Sequence, residues 1–153
     1  MNKRALLASA ACLLFAPAWG EASLPERFDP KRDAAADVQQ AIALAQAQDK
    51  RVLVDVGGEW CAWCHILDRF IASHPEVRRT LDAGYVQVKV NFSPQNRNEA
   101  LLARWPKAAG YPHLYVLDAS GKLLVSQGTG ELEAGRDYDE QKVLAFLRRN
   151  ARG

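Results

Sequence analysis

The sequence VLVDVGGEWCAWCH occupies residues 52–65 and says more about the architecture of this chain than any other stretch. It opens with an apolar run of strand length, which Gly57 and Gly58 end. An almost wholly apolar strand is typical of one that is covered on both faces of a sheet. We predict a helix over residues 61–73 that begins at the cysteines. A buried strand therefore leads into a helix start that carries two thiols.

Helical and extended patterns alternate on both sides of this stretch. Predicted helices cover residues 33–48, 61–73, 75–84, 96–105 and 138–149, and predicted strands cover residues 52–56, 85–92, 113–117 and 122–126. The last helix has two candidate caps, Asp137 and Asp139. Helices interleaved with strands, followed by a terminal hairpin, imply an α/β fold. We expect a mixed central sheet with helices on both faces and an extra N-terminal helix before the first strand.

The first twenty residues have a different character from the rest. Lys3 and Arg4 precede an apolar run of about a dozen residues, after which small side chains follow. A membrane-spanning helix needs roughly 20 apolar residues, so this pattern is that of a secretory signal peptide. We predict a signal peptide over residues 1–20, with cleavage after Gly20 or, alternatively, after Ala18 or Ala22. The protein is then exported, and in a bacterium it is periplasmic.

The remaining residues, 21–153, form one predicted domain without net charge. The whole chain of 153 residues has 20 Lys and Arg against 18 Asp and Glu, and the signal peptide takes two basic residues with it. Binding to a phosphate backbone needs an excess of basic residues, so nucleic acid is not an expected partner. A chain of this size buries enough surface to fold without staples or metal. Chemistry, and not stability, must explain its cysteines.

Cys61 and Cys64 form the candidate reactive pair. Residues three apart on a helix share one face, so the two sulfurs are close enough to form a disulfide. The first lies where the helix dipole favours a thiolate, which makes Cys61 the nucleophile and Cys64 the cysteine that resolves the mixed disulfide. A purely structural disulfide is the alternative, although so small a loop removes little entropy from the unfolded chain.

Asp55 is a carboxylate inside an otherwise apolar strand, six residues before Cys61. A buried acid is costly unless it is paired or used. It is either a proton acceptor for Cys64, acting through a water, or the partner of Lys89 on the next strand. Both interpretations can hold together.

Three stretches together resemble the thioredoxin superfamily: Val52-Leu53-Val54-Asp55, Glu59-Trp60-Cys61-Ala62-Trp63-Cys64 and Gly110-Tyr111-Pro112. The similarity covers about residues 35–150 and is strongest to exported single-domain thioredoxin-like or disulfide-isomerase-like proteins and to the C-terminal domain of the transmembrane thiol:disulfide interchange protein. It implies the thioredoxin fold. It also implies that Cys61 attacks, Cys64 resolves, Asp55 is the buried acid, and Pro112 is a cis-proline facing the disulfide. Trp60, Tyr111 and Pro112 are then the candidate substrate-binding residues.

The resemblance implies an exported thiol:disulfide oxidoreductase, a reductase or an isomerase. Its redox-active disulfide would replace any cofactor or metal, and its substrates would be protein thiols and disulfides. A membrane-embedded electron donor is the expected partner, and the expected state is a monomer. The dipeptide Ala62-Trp63 between the cysteines leaves the direction of electron flow open. His65, one turn after Cys61, is either a solvated helix residue or a cation that helps to hold the thiolate.

Two rival functions remain. Cys61-Ala62-Trp63-Cys64-His65 is also the C-x-x-C-H pattern by which haem c is attached. The predicted domain contains no Met to act as the common distal ligand, and the motif follows a buried strand, both of which count against haem, although a His could replace Met. The other rival is a non-catalytic binding module that has the fold and a permanently closed disulfide.

Overall fold

The computed structural model describes residues 23–152, so the predicted signal peptide lies outside the described residues. The elements are α1 (Ala34–Gln48), β1 (Arg51–Gly57), α2 (Ala62–Ser73), α3 (Pro75–Gly84), β2 (Tyr85–Asn91), α4 (Glu99–Leu102), β3 (His113–Leu117), β4 (Leu123–Gly128), β5 (Glu133–Ala134), β6 (Asp137–Tyr138) and α5 (Glu140–Asn150). A single 3₁₀ turn, Thr129–Leu132, follows β4. Within the described part of the chain, no helix is both long enough and apolar enough to cross a bilayer.

The main sheet has four strands in the order β2-β1-β3-β4. β1 pairs in parallel with β2 and antiparallel with β3, and β3 pairs antiparallel with β4. The predicted mixed sheet is therefore confirmed. β1 lies inside the sheet, and its register places Asp55 between Lys89 of β2 and Leu114 of β3.

Both faces of β1 are covered, as its apolar sequence predicts. Val52, Val54 and Val56 pack with α1 on one face of the sheet. Leu53 packs on the other face with apolar side chains of α2, α3 and α5. Because side chains alternate along a strand, Asp55 lies on the same face as Leu53. The acid therefore lies on the side of the sheet that α2 covers.

Side-chain caps fix the starts of the first and last helices. The carboxylate of Asp33 accepts the N–H of Ala36, 3.0 Å away, at the start of α1. Of the two candidate caps for the last helix, Asp139 is the one that binds, accepting the N–H of Lys142 at 3.0 Å. An Asp cap satisfies an N–H group that has no partner within the helix.

Two predictions about the second half of the chain are wrong in detail. The helix predicted over residues 96–105 is confined to Glu99–Leu102. Asn96 Oδ1 accepts the N–H of Asn98, which has a left-handed backbone, so these side chains build a turn where a helix was expected. The last helix, predicted from residue 138, begins at Glu140, because Tyr138 belongs to β6. The short hairpin of β5 and β6 was not predicted, since strands of two residues are too short to show a periodic pattern.

Candidate active site

The two cysteines meet at the N-terminus of α2 and are joined in a disulfide, with their α carbons 5.3 Å apart. Cys61 is the N-cap residue of α2, and its sulfur accepts the N–H of Cys64 at 3.2 Å. Both side chains are buried. The predicted approach of the two sulfurs is therefore confirmed. Hydrogen bonding and the helix dipole both favour negative charge on the sulfur of Cys61.

Gly57, the last residue of β1, gives Cys64 its place. A β carbon at position 57 would collide with the sulfur of Cys64 and would lie 3.1 Å from Cζ of Phe28. The helix start therefore packs directly on the backbone of β1. Asp55 is two residues earlier on the same face of that strand, which is about 6.6 Å along it.

Asp55 is paired with Lys89, as one of the two interpretations predicts. The distance from Lys89 Nζ to Asp55 Oδ2 is 2.9 Å, while the buried Oδ1 atom has no hydrogen-bond partner among the described residues. Burial raises the pKa of the Asp55 carboxyl above its ordinary value, and the Lys89 ammonium opposes this shift. The raised pKa is the property that a proton acceptor working near neutral pH needs.

Lys89 also contacts Asp68 of α2, at 2.7 Å from Nζ to Oδ1. Burial acts to lower the pKa of Lys89, but the charges of Asp55 and Asp68 together raise it, so the ammonium stays charged. Asp68 was missed in the sequence, although a signal exists. It follows Cys64 by four residues, which places both on one face of α2.

Phe28 is a second residue that the sequence did not reveal. Its ring is buried in a cluster with Cys61 and Cys64, and Lys89 Nζ lies 4.3 Å from the ring centroid. Its backbone N–H donates to Glu59 Oε1 at 3.1 Å. The only signal in the sequence is an aromatic residue alone in a polar segment before α1.

An aromatic cluster adjoins the disulfide on the outside. Trp60 is 56% exposed, and its ring meets the ring of Tyr111 edge to face at 5.9 Å. Its indole N–H donates to the carbonyl of Phe92 at 2.7 Å, and the Phe92 ring stacks on Tyr111. Trp63 instead packs edge to face on Tyr138 at 5.5 Å. Of the two tryptophans, Trp60 is thus the one that offers an exposed apolar surface.

The Tyr111–Pro112 peptide bond is cis, as the resemblance implies. The carbonyl of Pro112 accepts a hydrogen bond from the hydroxyl of Thr129, at 2.9 Å in a buried position. Thr129 lies 17 residues further along the chain and was not recognised in the sequence. Because Tyr111 contacts Trp60, the proline loop lies beside the aromatic cluster.

His65 does not bind a sulfur of the pair. Its Nε2 atom donates to the backbone carbonyl of Glu59 at 2.8 Å, and the Glu59 carboxylate lies 3.8 Å away. The imidazole therefore ties the start of α2 to the preceding loop. Within residues 23–152, no group of three or more His, Cys, Asp and Glu side chains is placed to hold a metal ion.

A vicinal dithiol at a helix start, above a buried carboxylate and beside a cis-proline, defines the class of thioredoxin-fold proteins. The family model described as "Thioredoxin-like" matches residues 33–119, and the chain belongs to this family. The predicted thioredoxin fold is thereby confirmed.

Individual relatives agree with this assignment. The chain is 33% identical over 93 residues to the thiol:disulfide interchange protein DsbD of Cronobacter sakazakii, a match that covers 60% of this chain and 16% of the relative. It is similar to the structure of a disulphide isomerase from Xylella fastidiosa Temecula1, with a TM-score of 0.69, 25% identity and coverage of 83% of this chain and 96% of that one. The oxidised C-terminal domain of DsbD from Neisseria meningitidis has the same fold, with a TM-score of 0.56, 21% identity and coverage of 81% and 98%. The chain thus spans less than a fifth of the curated relative.

Proposed function

We propose that this protein is an exported thiol:disulfide oxidoreductase that reduces or isomerises disulfides in other proteins. One observation carries the proposal: the sulfur of Cys61 caps α2 and is bonded to Cys64, the cysteine that can displace a substrate from it. The names of the relatives, an interchange protein and a disulphide isomerase, support the same chemistry.

The reaction begins from the reduced pair. The Cys61 thiolate attacks one sulfur of a substrate disulfide, forms a mixed disulfide and releases the other substrate sulfur as a thiolate. Cys64 then gives up its proton, and its sulfur attacks Cys61. The Cys61–Cys64 bond forms, and the substrate sulfur leaves with its electron pair and takes up a proton. Two electrons pass from the enzyme to the substrate. An isomerase would instead return the bond to a different pair of substrate cysteines.

In this scheme Asp55 accepts the proton of Cys64. It lies on the same face of β1 as Gly57, against which Cys64 packs. Its raised pKa makes the carboxylate a stronger base than an exposed aspartate. Asp68 also binds the Lys89 ammonium and so keeps this positive charge next to Asp55 while the proton moves.

The substrate is proposed to lie across Trp60, Tyr111 and Pro112. The exposed indole offers apolar contact next to the disulfide. A cis-proline turns the backbone of the residue before it outward, so Tyr111 can pair with an extended substrate strand. We also propose a periplasmic location after removal of residues 1–20, a monomeric state, and reduction by a membrane-embedded partner, in keeping with the interchange protein to which the chain is similar.

A c-type haem protein is the weaker candidate. Haem attachment would use both thiols in thioether bonds and His65 as an iron ligand. Here the two sulfurs are bonded to each other, and Nε2 of His65 donates to the backbone carbonyl of Glu59. The carboxylate of Asp55 lies on the side of the sheet that α2 covers, where the haem would have to bind. These residues do not fit a haem. Protein exported from a host able to attach haem c is expected to show no Soret band.

The proposed function is tested by insulin reduction with dithiothreitol as the electron source. Wild type is expected to accelerate insulin precipitation, whereas Cys61→Ser is expected to leave only the uncatalysed rate. Cys64→Ser is the matched variant, because it keeps the nucleophile and should accumulate a mixed disulfide that mass spectrometry detects. An unchanged rate on mutation of Cys61, or a disulfide that dithiothreitol cannot open, would show a non-catalytic binding module instead.

A further inference from the structure

Phe28 contacts two parts of the site, the resolving cysteine Cys64 and the ammonium group of Lys89. Its ring edge and the sulfur of Cys64 lie against the same point above the α carbon of Gly57. The face of the same ring lies 4.3 Å from Lys89 Nζ. The ring is 3% exposed. One buried side chain thus packs close to both the resolving sulfur and the ammonium group.

The segment that carries Phe28 is anchored on each side of the site. The N–H of Phe28 donates to Glu59, in the loop just before the cysteines, at 3.1 Å. The carbonyl of Pro30 accepts from Asn96 Nδ2 at 3.0 Å, in the loop after β2. Asp55 lies on β1 and Lys89 on β2. The two hydrogen bonds therefore fix the Phe28 segment to the loop that follows each of these strands.

We infer that Phe28 is a positioning residue for the second half of the exchange reaction. It holds the Lys89 ammonium against Asp55 and keeps bulk solvent from the sulfur of Cys64, so that the proton of Cys64 passes to Asp55, through an enclosed water, and not to bulk solvent. An ammonium over an aromatic face is attracted to it, and more strongly when both are removed from water. The first step starts from the Cys61 thiolate and needs no proton transfer to Asp55, so we expect it to depend on Phe28 much less, although the ring lies in the same cluster as Cys61.

This inference rests on the proposed function and concerns its second step, the closure of the internal disulfide. When Cys64 attacks Cys61, the thiol proton goes to the Asp55 carboxylate, the disulfide within the enzyme forms, and the substrate sulfur leaves as a thiolate. A leucine at position 28 removes the ring face and leaves space that water can enter. The Lys89 ammonium is then held less firmly against Asp55, and the proton of Cys64 can pass to the entering water in place of Asp55.

The test follows the reaction of the reduced protein with excess glutathione disulfide by rapid acid quenching and intact-mass measurement. The first phase forms protein with one glutathione attached, and the second phase releases it as the internal disulfide closes. Phe28→Leu is expected to slow the second phase roughly three- to tenfold and the first phase less than twofold, so that more of the glutathione adduct accumulates.

The matched control is Phe146→Leu, the same substitution at an equally buried ring of α5, in the core cluster that contains Leu53 and not the cysteines. It is expected to lower stability without changing the ratio of the two phases. Phe28→Met also lacks the ring face, but its flexible thioether fills irregular gaps better than leucine does, so it replaces the leucine variant if that one does not fold. It is expected to slow the second phase as well.

The outcomes separate the inference from the function. If both variants at position 28 leave the phase ratio at the wild-type value, the inference about Phe28 is wrong while the oxidoreductase stands. Slowing of both phases by the same factor, as in Phe146→Leu, would also overturn it, because the effect would then be structural. If wild type forms no glutathione adduct, the proposed function fails, and the role of Phe28 fails with it.

Discussion

The sulfur of Cys64 lies against the α carbon of Gly57, so the end of β1 and the start of α2 touch without a side chain between them. This contact is what places the dithiol above β1, two residues beyond Asp55. Any β carbon at position 57 would occupy the place of the sulfur. The site therefore depends on Gly57 because this residue has no side chain, although it takes no part in the chemistry.

Gly57→Ala is expected to lower the free energy of unfolding of the oxidised protein by about 1–3 kcal/mol, the usual cost of overpacking. The sulfur of Cys64 and the ring of Phe28 must both move to admit the methyl group, so the equilibrium constant of the pair with glutathione should change as well. Guanidinium denaturation and a glutathione titration measure the two effects. Gly128→Ala is the control, because φ at that residue is −70° and a β carbon there meets nothing within 4 Å. Equal stability for the two variants would contradict this account of Gly57.

Asp55 gives the stability of the oxidised protein a particular pH dependence. Because burial raises the pKa of Asp55, the native state keeps this proton over a pH range in which the unfolded chain has lost it. The native state then binds more protons than the unfolded state, so stability falls with rising pH. This contribution is complete below about pH 4, the ordinary pKa of Asp, and is lost as the pH rises through the raised pKa.

Asp55→Asn should abolish this dependence. The difference in unfolding free energy between variant and wild type should shift in favour of the variant as the pH rises from about 4 to 8, in denaturation curves recorded at each pH. Asp118→Asn is the control, since hydrogen bonds from Ser120 and from the backbone N–H of Lys122 lower the pKa of Asp118. Its contribution is lost only as the pH falls below the ordinary value. Parallel profiles for Asp55→Asn and wild type over this range would contradict the raised pKa.

Much of this architecture follows from local sequence patterns. The apolar run of β1 predicts coverage on both faces, and Asp139, one of the two caps predicted for the last helix, is the one that binds its first turn. The helix predicted over residues 96–105 failed because asparagine side chains compete for the backbone there, which a count of apolar positions does not detect. Local periodicity therefore predicts elements well only where side chains do not bind the backbone.

The residues of the candidate site also fall into a group that the sequence predicts and a group that it does not. The cysteine pair, Asp55 and Lys89 follow from their spacing and from the pairing of neighbouring strands. Phe28 and Thr129 do not, because they lie outside the α-helices and strands, in the segment before α1 and in the 3₁₀ turn after β4, and bind Glu59 and Pro112 from there. Such contacts depend on how a segment without regular structure crosses the sheet, and no periodic pattern records that path.

Thr129→Val is expected to weaken substrate binding by loosening the proline loop. Valine has nearly the shape of threonine, so the variant loses the hydrogen bond to the Pro112 carbonyl with little change in packing. A buried carbonyl without a donor costs about 1–3 kcal/mol of stability. In insulin reduction KM should rise more than kcat falls, because the loop that binds the substrate is affected while the dithiol is not. Thr80→Val on α3 is the control and should change neither constant. A fall in kcat alone would contradict this role of Thr129.

Trp60→Ala tests whether the exposed aromatic cluster binds protein substrates. Trp60 and Leu124 are the two large apolar side chains that the described residues expose, at 56% and 39%. Removing an aromatic anchor from a binding surface commonly costs more than about 1 kcal/mol, so KM for insulin should rise at least roughly fivefold. The rate of exchange with glutathione should change little, because so small a substrate does not need the indole surface. Leu124→Ala, on the edge strand β4, removes a comparable apolar surface and should leave KM unchanged. If both variants raise KM equally, or if Trp60→Ala slows glutathione exchange as much as insulin reduction, Trp60 does not form the docking surface.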